Sequence, residues 1–161
     1  MNKVLFVLLA FTALCSNALA QGDRFSEVCN RLIAAGWIQD NATLHEIKLD
    51  NPETPYKYAM NDDTVYAELL VSDSGAFFQY AFHGNLDSVD DLAVCITAYG
   101  EDDAAKIAQS IMDAYEKSQA YREKHPEAGA PSGSVNRGRV RYQFSHDWLY
   151  IINLDEMVGT H

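Results

Sequence analysis

Three arginines stand at alternate positions in the stretch RGRVRYQF, residues 137–144: Arg137, Arg139 and Arg141. Guanidinium forks hold carboxylates and phosphates through paired hydrogen bonds. Side chains at alternate strand positions share a face, so a continuous strand here would set Val140, Tyr142 and Phe144 inward and the arginines outward as a row. Such a row anchors an anionic group on a partner, or an anionic small molecule. On a merely solvated sheet it only balances neighbouring acids such as Glu68, each pair contributing about 0.2–1 kcal/mol. A second set, His83, His146 and Asp147, has the residue types of acid–base chemistry if the strand ends meet. It lacks the spacing that would specify that chemistry: the chain has no H-E-x-x-H, no histidine pair at helical spacing and no paired cysteine ligands. These histidines therefore read as turn residues, with no metal site, no cofactor and no catalytic residue expected. Neither a G-x-G-x-x-G stretch nor a P-loop is present, and Ser74 and Ser132 lack the strand-turn-helix setting of a hydrolase nucleophile.

The aromatic residues carry more. Tyr56, Tyr58, Tyr66 and Phe77 are expected on a sheet face away from the helices, where rings of this kind are favoured at protein interfaces. Together with Arg137, Arg139 and Arg141 they are the expected binding residues.

Charge and export bound the partner. The chain has 23 Asp and Glu against 12 Lys and Arg, a net charge of −11. Its first residues, MNKVLFVLLAFTALCSNALA, run from a basic start through an apolar core to Ala18-Leu19-Ala20, the layout of a signal peptide. That apolar run is shorter than the roughly 20 residues a permanent span needs. Cleavage after Ala20 and release to the periplasm or outside are expected, with no membrane anchor. Lys3 leaves with the leader, so 11 cations against 23 acids give −12 for residues 21–161. Such a surface repels nucleic acid and steers a basic protein toward itself. Cys29 and Cys95 remain, and an even pair in an exported chain predicts a disulfide, worth about 4 kcal/mol on the chain-entropy model.

These groups need a scaffold. Phe25, Val28, Cys29, Leu32 and Ile33 recur at helical spacing between Asp23 and Gly36. Residues 43–49 and 56–60 suggest short strands, and residues 65–71 and 76–83 a hairpin about Ser72-Asp73-Ser74-Gly75. LAVCITAY, residues 92–99, is apolar on both sides and predicts a central strand. Residues 101–124 carry acids at the start, bases at the end and an apolar stripe, all marks of a helix. Residues 125–136 read as a loop, and residues 137–144 and 148–154 as the last two strands. The sum is one α+β domain over residues 21–161: an antiparallel sheet of five to six strands with two helices packed on one face, in the order α-β-β-β-(β)-α-β-β. The function this implies is an exported, disulfide-stabilised, non-enzymatic binding protein, of inhibitor or immunity type toward a basic enzyme. The alternatives are a small periplasmic hydrolase using His83 or His146 with a carboxylate, or a carrier of an anionic small molecule.

Overall fold

The computed structural model describes residues 19–62 and 64–158, so all but Leu19 and Ala20 of the expected leader lies outside the described residues. The chain enters on helix α1 (residues 19–34), already helical before Asp23. Its end matches expectation: Gly36 takes φ +73°, its N–H donates to the Ile33 carbonyl, and the Trp37 N–H reaches back to Leu32. Those are the two bonds of a Schellman stop.

Four strands follow as a meander: β1 (Thr43–Lys48), β2 (Tyr56–Asn61), β3 (Tyr66–Val71) and β4 (Phe77–His83). Two helices, α2 (Val89–Tyr99) and α3 (Ala104–Lys124), then carry the chain to a second meander of β5 (Gly133–Arg137), β6 (Val140–Ser145) and β7 (Trp148–Asn153). A short helix α4 (Leu154–Val158) ends the described chain. Every pairing is antiparallel, in the order β1-β2-β3-β4-β7-β6-β5, so β4 is the middle of seven strands and joins the two meanders through β7.

The α+β class and the antiparallel sheet hold, whereas strand count and order differ from expectation. LAVCITAY is helix, not strand. Ser88 caps α2, accepting from the Asp91 N–H, and Gly100 closes it at φ +118°. Between those signals Leu92, Cys95, Ile96 and Tyr99 make one buried stripe at three-and-four spacing. The expected loop of residues 125–136 also contains most of β5, which pairs with β6 along its length.

All three long helices lie on one face. Phe25 of α1 meets Tyr80 at 5.9 Å between ring centres, Tyr99 of α2 meets Tyr80 at 5.2 Å, and Tyr115 of α3 meets Phe144 at 5.0 Å. Alternation on the strands supplies the other half of the core, with Leu69, Val71, Phe82, Leu149 and Ile151 fully buried. The expected disulfide is absent: Cys29 and Cys95 are free thiols, both buried in the core. The stability assigned to that bridge, about 4 kcal/mol, is no more than two fully buried aliphatic side chains provide at about 1.5–3 kcal/mol each. With it falls the reading of a disulfide-stabilised inhibitor or immunity protein, and the hydrolase alternative loses its footing in the arrangement described next.

Candidate functional site

Register assigns each strand residue to a face. Tyr56, Tyr58 and Met60 pair with Val71, Leu69 and Ala67, all on the helix side. Tyr58 is accordingly buried, against the Gly22 position of α1, and Tyr56 packs on the edge of the core. Phe77 is on the same side. A bulge between Leu70 and Val71 shifts the β3–β4 register, pairing Val71 with Phe77 and setting that ring 5.6 Å from Tyr80 and 5.9 Å from Tyr99. Of the four expected face aromatics, only Tyr66 lies on the open side.

The arginines are likewise divided. Residues 137–144 are not one strand but a hairpin turning at Gly138 (φ +59°) and Arg139. Arg137 ends β5 opposite Val140, on the helix side. There it helps Lys106, the main partner, hold the Asp103 carboxyl below its ordinary range. Arg139 sits in the turn and pairs with Asp155 at 3.3 Å. Arg141 alone reaches the open face, where its Nε donates to Asn136 Oδ1 at 3.1 Å.

The open face carries a different cluster. Pairing across β3, β4 and β7 sets Tyr66 opposite His83, and His83 opposite Trp148. The Trp148 ring lies 4.6 Å from His83, 6.0 Å from Tyr66 in an edge contact, and 5.8 Å from Tyr150 with only 7° between the planes. The Tyr66 hydroxyl donates to Glu68 Oε2 at 2.7 Å, and Lys57 Nζ meets the same oxygen at 2.7 Å while lying 5.5 Å over the Tyr66 ring. Burial pushes the Tyr66 hydroxyl up, with Glu68 adding to it, and burial does the same for Tyr150. Lys57 loses charge stability to burial, but Glu68 more than restores it and the ammonium titrates above its ordinary value. Beneath these side chains Ala59 and Ala81 are buried without belonging to the core cluster. Small residues form the floor, and the rings and the Lys57–Glu68 pair cover it.

Charge is sparse here. Among the described strand positions of this face Glu68 is the one carboxylate and Lys57 and Arg141 the only full-time cations, although the chain holds 23 acids. Depletion of charge with enrichment in Tyr, Trp and Arg is the composition of an interface core. Tyr150 and Trp148 were legible in the alternation of WLYIIN, since Leu149 and Ile151 must point inward.

His146 and Asp147 do not complete an active site. Both are exposed, in the two-residue turn between β6 and β7, with φ +50° and +62°, the left-handed pair that a tight hairpin requires. No group of three or more His, Cys, Asp or Glu among the described residues could hold a metal ion. A polar depression of about 290 Å³ beside β1 includes His45 and Asp62, and an apolar groove of about 420 Å³ between α1 and α2 includes Ala35, Ala93 and Val94; neither is lined by His83, His146 or Asp147. In the first, the Asp62 carboxylate is already occupied. Burial would raise it, but N–H groups of Thr64, Val65 and Gln39 outweigh that and hold it at about 2. The chain matches no family model, no curated protein and no solved structure.

Proposed function

We propose that the chain is an exported protein-docking module whose contact surface is the open face of its sheet, centred on Tyr66, His83, Trp148 and Tyr150. The observation that carries this is the half-buried aromatic cluster on the face opposite the three long helices, where Glu68 is the one strand carboxylate of a chain with 23 acids. A sheet face left to water ordinarily alternates to polar and charged residues. Large rings contribute most of the energy of protein contacts when a partner removes them from water. The contact itself is apolar and nearly neutral, although the whole chain carries a net charge of −11. Export is supported by the residue pattern of the first 20 positions. Cleavage after Ala20 would leave Phe25, Val28, Cys29 and Leu32, the buried stripe of α1, in place.

A photo-crosslinking side chain at Gln143, beside Tyr150 on the open face, tests the docking surface in the producing cell, with the same group at Asp113 on α3 as control. Discrete protein adducts from position 143 and none from 113 are expected. Equal labelling at both positions, or none at 143, would contradict the proposal.

A further inference from the structure

We infer that the partner on the open face is a second copy of this chain, seated sheet against sheet about a two-fold axis running along β4. This rests on the docking reading above and names its partner. An isologous contact needs a surface that complements itself when rotated, and the register supplies one. β3 and β7 flank β4, with Leu70 and Ile152 both paired to Gln79, and Tyr66 and Trp148 both paired to His83. Rotation about β4 therefore lays Leu70 over the second copy's Ile152 and Tyr66 over its Trp148, apolar on apolar and ring on ring. Gln79 meets its own equivalent, and an amide can both donate to and accept from its twin.

Charge selects the same occupant. Two chains of net charge −11 repel through most of their surfaces, and the face nearly free of carboxylates is where that repulsion is least. A strongly basic protein would instead find few acids there to pair with. The same axis lays Lys57 on β2 over the second copy's Arg141 on β6. Each is already engaged within its own copy, by Glu68 and Asn136. The size suffices: seven strands at about 4.8 Å spacing and six residues at about 3.4 Å give a footprint of roughly 600 Å² per copy, or about 1,200 Å² for both, the lower bound of a standard specific interface.

Sedimentation equilibrium of the full chain tests this, together with cysteine crosslinking. Wild type is expected at twice the chain mass, and both Tyr150→Arg and Leu70→Glu at the monomer mass with an unchanged circular dichroism spectrum. Gln79→Cys, on the axis, is expected to form a covalent dimer under mild oxidation, while Ser110→Cys, exposed on α3, does not. A monomeric wild type at 100-fold varied concentration, or Gln79→Cys crosslinking no faster than Ser110→Cys, overturns the inference. The two readings fail separately. A monomeric wild type with position-143 adducts of foreign mass removes the second copy but keeps the docking face, and absence of any adduct removes the face itself.

Discussion

At the scale of single residues, the cysteines show how burial replaces a covalent bond. Compartment and parity point to a Cys29–Cys95 bond, as does a strand reading of LAVCITAY that faces Cys95 toward the first helix, but that segment is helix and both thiols are free. Both instead serve as small apolar side chains in the core. Burial pushes the Cys29 thiol up to about 12 and raises Cys95 as well, with the nearby Asp91 contributing to the latter. Because the thiolate is the reactive species, a thiol reagent at pH 8 should label neither residue in the native protein and both in denaturant. Recovery of a linked Cys29–Cys95 peptide from nonreduced protein would refute this. The linkage has a sign. A raised thiol contributes stability that is complete below the unfolded value near pH 9 and is lost as the pH rises toward 12. The arginines teach the same lesson from the other side, since a glycine between two of them turned an apparent row into a hairpin.

At the scale of elements, alternation and capping were legible, while continuity was not. Strands β2, β3, β4 and β7 and helix α3 follow their periodicities closely. The Schellman glycine of α1 did as well. LAVCITAY misled because an uninterrupted apolar run fits a central strand and a buried helix equally; the decisive marks, Ser88 three residues before Asp91 and Gly100 after Tyr99, lay outside the run. β5 was hidden by GAPSGSVN, a composition that signals a loop. Gly133 begins β5 because α3 crosses the strand there. A Cβ at that position would stand 2.0 Å from the Ile111 carbonyl oxygen and 2.6 Å from the Tyr115 nitrogen, both helix backbone that cannot rotate away. Gly133→Ala should therefore push α3 off β5 and cost about 1–3 kcal/mol, as overpacking does, measured as a lower urea midpoint. Gly129→Ala, with open space around it, should leave the midpoint unchanged. Equal midpoints for the two variants would show that α3 does not approach β5 so closely.

At the scale of the whole molecule, the division of charge and rings between surfaces outweighs any single side chain. An aromatic face was expected, but three of its four members face the helices: Tyr56 and Tyr58 through their pairing with Val71 and Leu69, and Phe77 through one bulge at Leu70/Val71 that the sequence does not mark. What remained invisible was the clearing of acid from that face, which only strand order reveals. The two tryptophans offer a direct reading of whether a protein covers it. Trp37 lies at 9% exposure, edge-on to Phe82 in the core, whereas Trp148 stands on the open face. Hydroxyl-radical oxidation, quantified at both indoles by mass spectrometry, should modify Trp148 well above Trp37 in purified protein diluted to nanomolar concentration. In the producing cells it should find Trp148 protected to the level of Trp37. Equal oxidation of Trp148 in dilute solution and in cells would mean that its face stays open to water, and would contradict the docking surface.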